Sequence, residues 1–404
     1  MPGTQAHNPG ARRAILTIAI SAIALETALL GMVAPLLPEI ELRTDAGDEA
    51  LGLALAAYAI PILLISLPVG RLADRAGRRP LLLGGLILTG VGSIVIATSG
   101  ALPALLAGRA IQGVGSTLSW VAALALVSDL ARPGRKGEAI GFALAANSLG
   151  AIGGPALGGI VGGTISFEAP FILVSVIAAG IFVAGWFILP RAAALPPGVP
   201  IERPSLRLLL RPAAVLPAAV SALGAALLGL VDFVVPLDLD RRLGTTATAI
   251  GIIFGAVALV DALVAPPAGK AGDRFGRPPV ALAGTLVMTA SGVLLATLGT
   301  VAGATIALGV FAVGMSTIFA ASVPWLDETF GELNRGLAYG GLNLIYALGY
   351  TIGPLLGGWL LGNFSADAAY AFIAVAAAAV ALALAANYSR TRRRAGDRAA
   401  VAQR

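Results

Sequence analysis

The chain contains no cysteine, and its single histidine, His7, lies near the N-terminus. Together these remove disulfides, thiol catalysis and a Cys/His metal site, so neither a metal nor a cofactor is expected. Charge is scarce as well, at 12% of 404 residues. No Gly-x-x-x-x-Gly-Lys-Ser/Thr loop is present, which excludes nucleotide hydrolysis by the usual route. Long polar segments are missing too. The longest connection, about 190–212, is crowded with Pro190, Pro196, Pro197, Pro200, Pro204 and Pro212, which suits an extended tether rather than a catalytic domain. No enzyme is expected from this composition.

What the chain has in quantity is apolar surface. Apolar residues make up 57% and the mean hydropathy is +0.90, outside the range of a soluble domain. Twelve runs reach membrane-spanning length: 14–38, 50–69, 80–99, 101–127, 138–162, 168–189, 213–237, 248–268, 278–298, 302–325, 336–361 and 366–388. They are continuous rather than alternating, so helices are expected and a β-barrel is not. The first follows Arg12 and Arg13 but is too long for a signal-peptide core, and a retained helix is expected. With the N-terminus in the cytoplasm, 23 of the 27 Lys and Arg fall in cytoplasmic segments; Arg43, Arg241 and Arg242 fall outside and Arg109 within the membrane. The positive-inside rule then places both termini in the cytoplasm of a cell (inner) membrane protein. The basic balance, pI about 10.1, is read as charge facing anionic lipid; no nucleic-acid partner is expected.

The sequence also repeats itself. Gly70-Arg-Leu-Ala-Asp-Arg-Ala-Gly-Arg-Arg-Pro80 returns as Gly269-Lys-Ala-Gly-Asp-Arg-Phe-Gly-Arg-Pro-Pro279, at an offset of 199 residues. The same offset relates the stretch Gly150, Gly154, Pro155, Gly158, Gly159 to Gly349, Gly353, Pro354, Gly357, Gly358. Near the start of each half, 28–38 matches 226–236 at offset 198. Two hydrophobic halves repeating in the same direction describe a transporter with one substrate path between them. The expected organisation is a six-helix half at 1–190, a cytoplasmic linker at 191–212, a second six-helix half at 213–388 and a basic tail at 389–404.

These features resemble the major facilitator superfamily across nearly the whole chain. The 70–80 loop carries its motif A between helices 2 and 3, with Gly70, Asp74, Arg75, Gly77 and Arg78, and a degenerate copy with Asp273 and Arg274 lies between helices 8 and 9. Arg109-Ala-Ile-Gln112-Gly113-Val-Gly115 resembles motif B, and Gly150 to Gly159 resembles motif C, which in this superfamily marks proton-coupled exporters. Helix 1, with Glu26 nine and twelve residues before Pro35 and Pro38, is similar to bacterial drug:proton antiporters and vesicular monoamine transporters. Asp232, four residues before Pro236, falls where those carriers have a helix 7 glutamate, and Gly349-Tyr350-Thr-Ile-Gly353-Pro354 matches them in helix 11. Three departures separate this chain from the vesicular amine carriers. Asn343 replaces a helix 11 aspartate, the region of Ala59 replaces a helix 2 lysine, and the helix 10 aspartate has no counterpart, since Asp327 and Glu328 lie at the helix end. The resemblance implies a twelve-helix, all-α membrane fold and a monomer. Its implied activity is antiport of protons against small lipophilic, cationic compounds by alternating access.

Ionisable residues at membrane depth are costly and usually functional. Glu26, Arg109, Asp232 and Asp261 are the four expected there, and Asp238 is expected at the interface. Glu26, Asp232 and Asp261 are candidate proton or cation sites. Arg109 either couples to Glu26 or is held by the helix 1 backbone. Asn343, Tyr346 and Tyr350 share one helix face and offer hydrogen bonds and rings to an organic cation, with Gln112, Tyr58 and Trp120 as further cavity candidates; ordinary packing is the competing reading. The superfamily pattern sets Asp74 against the start of helix 11, where the helix dipole favours a negative charge, and symmetry sets Asp273 against helix 5. The glycines and Pro155 of motif C imply close helix approach and a bend. A lipid or lipid-linked flippase and a proton-coupled nutrient symporter are the alternatives that share this fold.

Overall fold

A computed structural model describes residues 9–98, 100–130, 136–190, 211–330 and 335–402, with nothing described of the side chains of Pro9, Asp74, Pro212, Phe330 or those at 136–140, 335–342 and 390–402. Among the described residues, twelve helical rods are long and apolar enough to cross a membrane. They are α1 (Pro9–Met32, continued by a 3-10 turn Ala34–Leu36 and a helix Leu37–Thr44), α2 (Asp48–Ala76), α3 (Arg78–Thr98), α4 (Leu102–Asp129), α5 (Lys136–Ala156, continued through a π turn Leu157–Val161 to Thr164) and α6 (Ala169–Ile188). The second half follows as α7 (Pro212–Leu243), α8 (Ala247–Phe275), α9 (Arg277–Thr297), α10 (Val301–Phe330), α11 (Arg335–Asn363) and α12 (Ala366–Ala402). Most rods run past the apolar stretches, because a helix can project beyond the hydrocarbon once its own hydrogen bonds are made.

Local chemistry sets the breaks. Pro35 and Pro38 interrupt the ladder of α1, which tightens to a 3-10 turn and resumes. Thr246 caps α8 by accepting from the Ala249 N–H at 3.3 Å. The repeated loops turn on Gly77 and Gly276, at φ 86° and 90°, a region that side-chain-bearing residues rarely adopt. Gly70, also part of the repeat, lies inside α2 with nothing crowding it, so it is not a turn residue.

Packing follows the duplication. In the first half α1 packs on α5, α3 on α4 and α6, and α2 on α4; in the second, α7 packs on α11, α9 on α10 and α12, and α8 on α10. The halves meet through α2 on α11 and α5 on α8. The motif C glycines explain how closely. Side chains at Gly150, Gly154 and Gly158 would strike the backbone carbonyls of Ala24, Ala28 and Met32, one turn apart along α1. Gly349 and Gly353 meet the carbonyls of Ala222 and Ala226 on α7 in the same way. Between halves, Gly159 lies against Ala247 and Gly251 just as Gly358 lies against Asp48 and Glu49. After Pro155 the helix loosens into its π turn, and the Thr248 hydroxyl of the other half donates to the Gly159 carbonyl at 3.2 Å.

Polar contacts between the halves cluster at the end opposite the termini. Arg241 of α7 pairs with Glu41 at 2.6 Å and with Asp48 at 2.5 Å, and the Asn363 amide donates to Glu49 at 3.0 Å. Toward the other end, Asn343 of α11 donates to Ser66 of α2 at 3.1 Å.

Candidate functional site

Two polar constellations lie at mid-height, one in each half. The first surrounds Glu26, which is 1% exposed on α1. One carboxylate oxygen, Oε1, accepts from Thr89 of α3 at 3.0 Å, while Oε2 is buried and accepts no hydrogen bond among the described residues. No basic residue forms an ion pair with it among those described. Tyr58 of α2 reaches over this acid: its hydroxyl lies 3.2 Å from the Glu26 carbonyl and 2.8 Å from Ser116 of α4.

Arg109 is fully buried on α4 and makes no ion pair with Glu26. Its Nη1 donates to Gln112 Oε1 at 3.1 Å, and a longer contact of 3.5 Å reaches the Leu29 carbonyl of α1. The guanidinium lies over the Tyr58 ring, 4.4 Å from its centroid, while Nε and Nη2 have no acceptor among the described residues. An arginine does not discharge by losing its proton, so carbonyl dipoles and a ring face hold it. The coupling to the acid is indirect. Gln112 donates to Ser93 at 2.9 Å, Ser93 donates to the Thr89 carbonyl at 2.8 Å, and the Thr89 hydroxyl donates to Glu26. Hydrogen bonds on α3 and α4 thus lead from the base to the Thr89 backbone carbonyl, and the Thr89 hydroxyl meets the acid, so the two are linked through the position of Thr89 rather than by one unbroken chain.

The second constellation is smaller. Asp232 of α7 is 9% exposed and accepts the Tyr350 hydroxyl of α11 at 2.8 Å. Tyr346 stacks on Tyr350 with centroids 6.0 Å apart and planes at 9°, and Phe319 continues the aromatic row. Tyr346 is within electrostatic reach of Asp232, Asp261 and Tyr58, and Tyr350 of Arg109, so the two constellations face each other across the halves. Asp261 of α8 is partly buried, and its backbone carbonyl accepts from Ser316 of α10 in its own half.

The structure places several of the expected residues in surroundings of its own. Gln112 is 0% exposed with both amide ends engaged, so it lies inside its half rather than on a cavity wall. Tyr58 belongs to the Arg109 network, and Trp120 is partly buried against the core. Asp238, at the end of α7 where an interfacial position is expected, is buried against other side chains: Tyr370 donates to it at 2.8 Å and Arg242 pairs with it at 2.8 Å. Asp273 pairs with Arg277, one turn on, at 2.7 Å, an arginine that both copies of the loop carry; the α5 side chains at 136–140 that it was expected to face lie outside the described residues. Arg274 is exposed beside Phe275. Arg78 bonds the Ala73 carbonyl at 2.6 Å and Asp129 at 3.2 Å, whereas Arg75 is exposed. The Asp74 side chain lies outside the described residues.

Other polar residues of the site had not been singled out: Thr89, Ser93 and Ser116, and Asn147 of α5, whose Oδ1 accepts from Thr27 at 2.9 Å. The signal was available in part, since Thr89 and Ser93 are a polar i, i+4 pair inside an apolar run. What no spacing gives is which neighbouring helix they face.

Comparison with known proteins places this architecture. The sequence profile described as Major Facilitator Superfamily matches residues 19–237 and 218–403. The class C tetracycline resistance protein of Escherichia coli is 28% identical over 362 residues, covering 84% of this chain and 88% of that protein. Multidrug resistance protein 1 of Bacillus subtilis (strain 168) is 24% identical over 361 residues, covering 88% and 91%. The MFS-type transporter ppzB of Metarhizium rileyi (strain RCEF 4871) is 30% identical over 152 residues, a stretch that spans 36% of this chain and 32% of that protein. Among solved structures, a bacterial homologue of the human lysosomal transporter Spinster, in an inward-facing and unoccupied conformation, superposes with a TM-score of 0.74 at 16% identity. That superposition covers 94% of this chain and 95% of the other.

Proposed function

The chain belongs to the Major Facilitator Superfamily, a family of membrane carriers rather than enzymes, and on that premise we propose that it is a proton-coupled antiporter exporting small lipophilic cations. The observation that carries the proposal is Glu26: an acid sealed in the first half, with one oxygen unpartnered and no basic residue paired to it. An isolated buried charge is expensive, so such a group holds a proton until cargo binding elsewhere in the carrier favours its release. Proton and cargo then oppose each other through the two halves, which is the minimal device for antiport.

The second half contributes differently. Asp232 shares its charge with the Tyr350 hydroxyl beside the Tyr346 ring, an arrangement that offers a carboxylate and aromatic faces together to an organic cation. The relatives named for tetracycline and multidrug resistance fit this reading, since a carrier confers resistance by removing the compound from the cell. With both termini in the cytoplasm, Arg241, Glu41, Asp48, Asn363 and Glu49 hold the outer side together, and the site awaits cargo from the inner side. Alternating access follows when the halves rock about the tight α5–α8 and α2–α11 contacts. Cargo and protons bias the two states only by their differential affinity for each.

The test is transport in proteoliposomes with an imposed pH gradient and tetraphenylphosphonium as cargo. Flux of the cation against the direction of proton flow, lost when the gradient is collapsed, is expected. Movement of cargo with the protons would mark a symporter, and lipid translocation without cation flux would mark a flippase; either replaces the proposal.

A further inference from the structure

The lipid-facing side of the first half carries a feature that the transport cycle leaves unused. Between α3 and α6 runs a groove of about 390 Å³ lined by Ile87, Gly90, Val91, Ile94, Ser175 and Phe182, among others. Ile87, Val91 and Ile94 are each between 44% and 49% exposed, so the groove opens outward to the bilayer. Its one polar side chain, Ser175, turns inward to the Gly90 and Phe171 carbonyls at 3.0 and 2.9 Å. The lining is therefore suited to hydrocarbon.

Above the groove, at the end that carries the termini, the apolar strip meets a cation. Phe182 lies 5.9 Å from Trp186, and the Arg79 guanidinium lies over the Trp186 ring at 5.3 Å. Arg79 donates to the Trp186 carbonyl at 2.6 Å, its Nε is buried without an acceptor, and no carboxylate pairs with it among the described residues. Its neighbour Arg78 does have such a partner in Asp129. An arginine fork at the membrane surface with a ring beside it and no carboxylate paired to it among the described residues is suited to a phosphate.

The duplication supplies an internal control. At offset 199, Arg79 corresponds to Pro278, Gly90 to Thr289, Ser175 to Ala374 and Trp186 to Ala385. Space is open beside Gly90, where an added Cβ would find Ala178 only at 3.9 Å, and the second half has the bulkier Thr289 at that position. The cation and the ring behind it are therefore a feature of the first half alone, with proline and alanine in their places in the second.

We propose that the α3–α6 face binds one anionic phospholipid, with its phosphate on Arg79 and an acyl chain in the groove beneath Trp186. The ligand is a resident lipid, distinct from the cargo of the central site.

Native mass spectrometry of the full-length protein in detergent, with palmitoyl-oleoyl phosphatidylglycerol or phosphatidylcholine added, tests this. Retention of the glycerol lipid about fivefold above the choline lipid is expected, the factor for one arginine near an anionic headgroup. Arg79→Gln should abolish that preference, and Arg13→Gln, an exposed arginine elsewhere on the same end, should leave it intact. Gly90→Leu, which fills the groove, should reduce retention of both lipids while keeping their ratio. Equal retention of the two lipids by the unmodified protein, or an unchanged preference in Arg79→Gln, overturns the site. Displacement of the lipid by inorganic phosphate also overturns it, since a free anion would then be sufficient. Thermal unfolding of each variant separates loss of lipid from loss of fold, and Arg79→Gln carries the test if Gly90→Leu does not fold.

Discussion

The two halves share a backbone plan and handle charge in opposite ways. In the first, an acid and an arginine are buried apart, linked through Tyr58 and through Thr89, Ser93 and Gln112, and neither is neutralised by an ion partner among the described residues. In the second, Leu308 stands where the first half has Arg109, and Asp232 is answered by one tyrosine hydroxyl. Duplication preserved the packing, because the glycine contacts of α5 on α1 and α11 on α7 require nearly the same backbone approach. It did not preserve the chemistry. The inference is a division of labour in which the first half carries the proton and the second shapes the cargo site.

The largest effect that can break this division belongs to Glu26→Gln. The amide keeps the shape and cannot ionise, so uphill export of tetraphenylphosphonium should fall at least about tenfold, the scale of a lost charge-assisted contact, with protein abundance near normal. Export at the original rate would remove Glu26 from the mechanism. Arg109→Lys comes next. A lysine lacks the planar fork that reaches Gln112 while covering the Tyr58 ring, and the network should loosen by about 1–3 kcal/mol. A drop in melting temperature together with slowed transport is expected, and an unaffected protein would make the hydrogen-bond chain dispensable.

Asp232→Asn probes the other half. Cation affinity should weaken about fivefold while neutral cargo is spared, as expected for loss of one acid from a poorly solvated site. Cation binding by the unmodified protein should also fall as pH drops, because protonation removes the negative charge that attracts the cargo. Binding titrations at mildly acidic and neutral pH check both, and equal binding of matched cations and anions would contradict them. The smallest effect is expected from Tyr350→Phe, which removes the hydroxyl from Asp232 and keeps the ring. A single hydrogen bond is worth about 0.5–1.5 kcal/mol, so affinity should change only a few-fold. A loss as large as that of Glu26→Gln would mean that the second half carries the proton.

How much of this was legible beforehand depends on whether the information was local. The twelve spans, the duplication and the small-residue face of α5 could be read directly, since hydropathy and spacing act along one helix. Glu26, Arg109 and Asp232 could be identified as costly residues at membrane depth for the same reason. Their partners could not. Whether Arg109 meets Glu26 or the Leu29 carbonyl depends on how α1 and α4 rotate against each other, and no periodicity fixes that angle. The partners of Asp238, Tyr370 and Arg242, come from α12 and from one turn further along α7, and only the second is within reach of a spacing argument. The expected facing of Asp273 on α5 involves side chains at 136–140 outside the described residues, and its described partner is the arginine four residues on, which both loops carry.

Proton release on cargo binding tests the division of labour most directly. Purified protein in weakly buffered detergent, with a pH-indicating dye, is mixed with tetraphenylphosphonium at neutral pH. The account predicts that the unmodified protein and Asp232→Asn release protons as they bind the cation, while Glu26→Gln binds residual cation and releases none. Release that survives Glu26→Gln and disappears in Asp232→Asn would contradict the account, since the proton would then belong to the second half.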